Sequence, residues 1–122
     1  MKKTILITGA SKGLGLATAK LFAEKGWTVV GSSTSREGAE KIEKSCPGGR
    51  GFVCDFRDLI GTEAQISAVL EEHSKIDVLM NNSGIKAKGP VESLTIDEIE
   101  NLLKINVAGH FVVTRLVVPL MK

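Results

Sequence analysis

The chain has 122 residues, 43% of them hydrophobic and 25% charged, which suits one globular domain, residues 1–122, with a single core. Sixteen basic against fourteen acidic side chains leave a net charge of +2, too balanced to argue for a nucleic-acid partner or an anionic membrane surface. No apolar run approaches the roughly 18 residues of a membrane span, so no membrane partner is expected. The run Ile5–Ile7 behind Met1-Lys2-Lys3 is too short for a signal-peptide core. Cys46 and Cys54 fit no metal or redox spacing, so we expect no metal site and two reduced structural thiols in a cytoplasmic protein.

Strand and helix patterns alternate from the start. Thr4–Thr8 is a short apolar, β-branched run that reads as a buried strand. Leu14 to Lys25 has helical spacing, with Leu14, Ala17, Leu21 and Phe22 on one face and Gly26 as the residue that ends it. Thr28–Ser32 is a second strand, about Glu37 to Ser45 a weaker helix, and Gly51–Cys54 a third strand. Thr62-Glu-Ala-Gln65 has capping-box form and predicts a helix opening there and running to about His73. Ile76–Met80 is a fourth strand. Thr95-Ile-Asp-Glu98 is another capping box, opening a last helix, bent near Asn106 to Gly109, that continues to the end of the chain. Apolar strands separated by helices predict an α/β fold: a Rossmann-type, doubly wound parallel sheet of order 3-2-1-4.

The main chemical signal lies between the first strand and the first helix, in Thr8-Gly-Ala-Ser-Lys-Gly-Leu-Gly15. Gly9, Gly13 and Gly15 permit a tight turn and close approach of a pyrophosphate. The helix beyond them offers free N–H groups and the positive end of its dipole. Gly9, Ser11, Lys12, Gly13, Leu14 and Gly15 are therefore candidate cofactor-binding residues. The spacing is not the literal G-x-G-x-x-G, and no Lys-Ser/Thr pair follows the last glycine as in a Walker A loop.

Thr8-Gly9-x3-Gly13-x-Gly15, Asp55 after the third strand, Asn81-Asn-Ser-Gly84 after the fourth and Lys104-Ile-Asn-Val107 in the last helix occur in a telling order. Together they resemble the short-chain dehydrogenases/reductases, over the whole chain. Within that family the chain looks most like the 3-oxoacyl-carrier-protein reductase type, an impression to which Val30–Ser35 and Gly38-Ala39 contribute. The resemblance implies that Asp55 hydrogen-bonds the adenine amino group, with the Phe56 backbone beside it. It implies that Asn82 and the Gly84 backbone approach the adenosine-side ribose. It makes Asn106 the active-site Asn, which bends the helix and holds a relay water through its main-chain carbonyl. The family usually has Ala where this chain has Ser83.

Blander readings stand beside these. Asp55 could be a helix N-cap or turn former. Asn81 reads as structural, tying the fourth strand to its neighbours. A mid-helix Asn such as Asn106 is usually solvated. His73 and His110 match no catalytic position and read as surface or packing residues. Lys86 and Lys88 read as solvated loop charges.

Cofactor choice follows from charge. An NAD site places an acid about twenty residues beyond the glycine loop, for the ribose 2′-OH. Here the second strand ends Ser32-Ser-Thr-Ser-Arg36, with no acid before Glu37. Ser33 and Thr34 can donate to a 2′-phosphate, Lys12 adds positive charge, and Arg36 helps or points to solvent. NADP is the expected cofactor.

In the family a Tyr-x-x-x-Lys motif, preceded by a Ser, carries out the chemistry on a small carbonyl or alcohol substrate. This sequence contains no Tyr, and at Lys122 the family continues into a fifth strand carrying that Ser. The resemblance thus implies the cofactor half of an NADP-dependent oxidoreductase, truncated before the fifth strand and inactive alone. The alternative is a non-catalytic nucleotide-binding or oligomerisation module. An extended-type sugar-nucleotide epimerase is disfavoured by the glycine spacing. The last helix is apolar nearly all round from Phe111 to Met121, so homo-oligomerisation through it is expected.

Overall fold

A computed structural model describes residues 2–122. Four parallel strands, β1 (Thr4–Ile7), β2 (Thr28–Ser33), β3 (Arg50–Val53) and β4 (Val78–Met80), form one sheet of order β3-β2-β1-β4. The order is the one expected from the alternation of elements. The register pairs Ile5 with Val29 on one side and with Val78 on the other.

Strand alternation sends side chains to two separate cores, one on each face of the sheet, rather than the single core expected from the chain's size. Leu6 and Val30 point to one face, where Ile66, Val69, Val113 and Val117 cover them. Ile5, Ile7 and Val29 point to the other, against Ala19, Ile42 and Cys46. The helices divide accordingly. The first face carries α3 (Leu59–Leu70) and α5 (Gly109–Val117); the second carries α1 (Gly13–Glu24) and α2 (Arg36–Ser45). At Gly51 on β3 an added Cβ would collide with the Ala39 carbonyl, so the absent side chain lets α2 approach the sheet.

Two expectations are corrected. In α1 the inward face is Gly15 and Ala19, with Phe22 and Ala23 half-buried behind them, whereas Leu14 and Leu21 are 70% and 50% exposed. Small residues win that face because the helix start must lie close to the glycine turn. The third helix does not open at Thr62. It opens at Leu59, with Asp58 as N-cap accepting from the Gly61 N–H at 2.9 Å. Thr62 is buried, and its hydroxyl contacts the carbonyls of Asp55 and Asp58 instead of capping anything.

The second capping box is as expected: Thr95 and Glu98 exchange hydrogen bonds at the start of α4 (Ile96–Leu103). Between α4 and α5 the chain makes a π-helical turn, Lys104–Ala108, which accounts for the expected irregularity near Asn106. The continuous helix Ile96–Leu120 is 25 residues, long and apolar enough by length and composition to cross a membrane, although polar residues interrupt every apolar run within it. In this fold Val113 and Val117 are instead fully buried against the sheet, while Phe111 is 73% exposed. Arg115 pairs with Glu63, holding α5 to α3. Both cysteines are buried and free, and burial pushes both thiols above the usual range.

Candidate active site

The loops at the carboxyl ends of all four strands gather around a cleft of about 810 Å³. The chain leaves β1 for β2 on one side, and β4 lies on the other, so the cleft sits where the strand order reverses. Such a crevice is where open α/β sheets bind ligands.

The glycine loop forms the cleft's first wall. Gly9 and Gly13 take left-handed backbone conformations, φ +66° and +59°, that L side chains rarely adopt. The loop is tied to β2, since Gly9 N donates to Ser32 Oγ at 3.1 Å and Ala10 N to the Ser32 carbonyl at 2.8 Å. Lys12 is the N-cap of α1, without a side-chain cap and without an acid in the following turn. The helix therefore presents open N–H donors and an unneutralised positive end.

The second wall continues β4. Thr8 Oγ1 accepts from both the Asn82 and the Ser83 N–H groups at 3.0 Å, and Asn82 Nδ2 donates to the Gly9 carbonyl at 3.0 Å. The two walls are thus bonded directly to each other. Ser83 stands where space is tight: a Cβ on Gly9 would meet its Oγ at 3.0 Å. Asn81 is structural, as expected, but its amide reaches Thr114 of α5 at 3.0 Å rather than a neighbouring strand. Asn106 spends both ends of its side-chain amide on Ile85, accepting from N at 2.8 Å and donating to O at 2.7 Å, and is not the solvated Asn of the bland reading.

The loop after β3 closes the far end. Asp55 accepts from the Arg57 N–H at 2.9 Å and pairs with its guanidinium at 2.6 Å. That pairing outweighs partial burial and holds the Asp55 carboxyl below its usual range. Asp55 is therefore a turn former that also lines the cleft; the N-cap of the following helix is Asp58. A carboxylate whose folded-state value is lowered contributes stability above its unfolded value, about 3.9, and loses it as pH falls through the folded value. Replacing Asp55 with Asn should reduce unfolding free energy by less than about 1 kcal/mol at pH 7, given solvent screening. The gap to the parent should close as pH falls below about 3.9, as urea titrations across pH would show.

Of the expected cofactor residues, Gly9, Ser11, Lys12, Ser33, Thr34, Asp55, Phe56, Asn82 and Gly84 line this one cleft. Gly13, Leu14, Gly15 and Asn106 do not. Gly13 shapes the turn. Gly15 lies beneath it, where an added Cβ would stand 2.6 Å from Asn82 Nδ2 and closer still to the Gly9 carbonyl oxygen. Leu14, in the first turn of α1, points its side chain to solvent. The Phe56 ring is core, packed on Gly109, so only its backbone remains for the cleft. Ser33 is buried, with its hydroxyl donating to Ser11 Oγ at 3.2 Å, whereas Thr34 is exposed. Lys86 and Lys88, read as solvated loop charges, are exposed but lie on the cleft rim. Among the described residues no cluster of three metal-capable side chains exists.

A family model described as short chain dehydrogenase matches residues 3–122. The chain belongs to that family. It is 34% identical over 119 residues to a D-threitol dehydrogenase of Mycolicibacterium smegmatis, covering 94% of this chain and 46% of the relative. It is 33% identical over 123 residues to the 3-oxoacyl-(acyl-carrier-protein) reductase FabG of Thermotoga maritima, covering 98% and 50%. A short-chain dehydrogenase structure from Streptomyces avermitilis superposes with a TM-score of 0.90 at 30% identity, over 99% of this chain and 45% of that one. A metagenomic short-chain oxidoreductase solved in complex with NADP superposes with a TM-score of 0.88 at 28% identity, over 98% and 56%. The chain therefore spans about half the length of the relatives that it matches. As a member of that family it shares the Rossmann-type fold of its relatives.

Proposed function

We propose that this chain is the cofactor-binding part of an NADP-dependent short-chain oxidoreductase that exchanges hydride between NADP(H) and a small carbonyl or alcohol. The observation that carries NADP over NAD is the end of β2. A recess beside the main cleft is lined there by Ser11, Lys12, Ser33, Thr34 and Ser35, with Lys41 and Lys44 of α2 beyond them. The acids in this recess, Glu37 and Glu40, lie on α2 and not at the strand end, where a carboxylate would take the ribose 2′-OH. Hydroxyls and ammonium groups suit a 2′-phosphate.

The cleft also fits the rest of the group. The glycine turn and the open start of α1 would receive the pyrophosphate. Asp55 and the Phe56 backbone would meet the adenine; Asn82 and Gly84 would flank its ribose. The cofactor supplies the hydride when bound. The side-chain amide of Asn106 is committed to Ile85, so by the family resemblance its role in the relay would fall to its main-chain carbonyl, holding a water. The names of the relatives cover polyol and diol dehydrogenases and 3-oxoacyl thioester reductases, whose common element is a secondary alcohol and its ketone.

Titration with NADPH and NADH, followed by nicotinamide fluorescence, tests the binding reading; equal or tighter NADH binding would reject the NADP assignment. Because the sequence has no Tyr to act as the acid, we expect this chain alone to show no ketone-dependent NADPH consumption above the blank. Turnover that survives repurification would overturn that expectation. A homo-oligomer is proposed as well, in a cytoplasmic setting that suits two buried free thiols. Phe111, Leu103 and Ile96 are all more than half exposed on one helix, and among the described residues β4 pairs with β1 alone. Light scattering should show a mass that rises with concentration; a constant monomer would exclude association through this face.

A further inference from the structure

Three side chains on one side of the last helix bond to three alternate residues of the segment that continues β4. Asn106 holds Ile85 by two bonds, His110 Nε2 donates to the Ser83 carbonyl at 2.6 Å, and Thr114 Oγ1 accepts from Asn81 at 3.0 Å. The helix positions step by four and the strand positions by two, in opposite directions. Four helical residues advance about 6 Å. Two residues of extended chain advance about 6.6 Å. The two repeats are nearly commensurate, so one helix edge can grip every second residue of the strand extension. On an ideal helix each step of four also drifts about 40° around the axis. The wider π turn at Lys104–Ala108 takes up part of that drift between the first two rungs.

The middle rung has a second contact. The His110 ring meets the Phe56 ring edge to face, with centroids 5.9 Å apart. Phe56 belongs to the loop after β3, and Ser83 to the loop after β4. His110 is therefore a side chain of α5 that touches both the adenine-side loop and the ribose-side loop of the cleft.

We propose that His110 is a positioning residue of the cofactor cleft: by donating to the Ser83 carbonyl while set edge to face against Phe56, it fixes the 82–85 segment against the glycine loop. The assignment deepens the cofactor-binding reading and rests on it for its consequence, but the contact itself is a property of the free protein. A half-buried carbonyl with its donor removed turns toward water, and the adjoining Asn82 and Gly84 turn with it.

The test uses two variants and two measurements. His110→Phe keeps a ring on Phe56 and removes the donor; His110→Gln keeps a donor of similar reach. In the cofactor-free protein, amide hydrogen exchange at Asn82, Ser83 and Ile85 should quicken at least tenfold in H110F and return toward the parent in H110Q. Exchange in β1 and β2 should stay unchanged in both. Unchanged exchange at the three amides in H110F, or uniform acceleration across the sheet, would overturn the proposal. Nitrogen NMR of the parent imidazole provides a check that needs no variant: a neutral ring protonated on Nδ1 alone would equally overturn it. NADPH titration then reads the consequence, an affinity about tenfold weaker in H110F than in H110Q. Quickened exchange with parental NADPH affinity would remove the positioning role. A parent that binds neither NADPH nor NADH would reject the cofactor reading, while the exchange result would still decide the contact.

Discussion

Replacing Gly15 with Ala is expected to abolish cofactor binding and to destabilise the chain by about 3 kcal/mol, the upper part of the usual range for overpacking. The reason is local and severe. The new Cβ would stand 2.6 Å from Asn82 Nδ2 and nearer still to the Gly9 carbonyl oxygen. Those two groups are bonded to each other at 3.0 Å, and their bond joins the two walls of the cleft. A flexible side-chain tip could move aside, but a backbone carbonyl held by a left-handed Gly9 cannot move without unwinding the turn. Urea unfolding should show a lower midpoint, and NADPH titration no saturable signal. Parental values in both would mean that α1 starts farther from the loop than described. Alanine at Gly13 makes a useful contrast. Nothing lies within 4 Å of its Cβ, so only the strain of a positive φ remains. That cost is of the order of 1 kcal/mol.

The second large effect concerns cofactor choice. Thr34→Asp should weaken NADPH binding ten- to a hundredfold and leave NADH binding unchanged or tighter. A carboxylate there would repel a 2′-phosphate and accept from a 2′-OH. Such a change corresponds to about 1.4 to 2.8 kcal/mol. Thr34 is the better position for the experiment than Ser33, although both line the recess. Ser33 is 5% exposed and packs so closely over Gly38 that a Cβ on that glycine would stand 2.8 Å from the Ser33 Cβ. An acid at Ser33 would therefore disturb the packing of α2 together with the charge. Exposed Thr34 isolates the charge. If T34D keeps full preference for NADPH, the phosphate is recognised elsewhere, and the recess by Lys41 and Lys44 loses its assigned role.

Much of this was legible in the residues because the signals were local. β-branched runs marked the strands, and the glycine turn marked the start of α1. The absence of an acid after β2 was visible without a structure. What misled was local pattern with two readings. Thr62-Glu-Ala-Gln65 has the form of a capping box, but Asp58, four residues earlier, caps the helix first, and Thr62 is then left inside it. Leu14 and Leu21 look like the core face of an amphipathic helix. Yet the face that must touch the glycine turn admits only Gly15 and Ala19, so the leucines go outward. His110 was not identifiable at all. Its partner Ser83 is 27 residues away, and no spacing rule links a helix position to a carbonyl in another loop. The match between a four-residue helical step and a two-residue strand step appears only once the two segments lie side by side.

The strand order also has a consequence for how the chain folds. β1 pairs with β2 through Ile5 and Val29, 24 positions apart, but with β4 through Ile5 and Val78, 73 positions apart. Closing the longer loop costs about 1 kcal/mol more in chain entropy, and contacts of such sequence separation form slowly. The βαβ unit around the glycine turn can therefore assemble early, as a half-site with one wall. Docking of β4, which brings Asn82 and Ser83 to Thr8, is then expected to be the late event that completes the cleft. A ligand that bridges both walls binds only after that event. It acts as a latch on the last pairing to form and slows the first one to open.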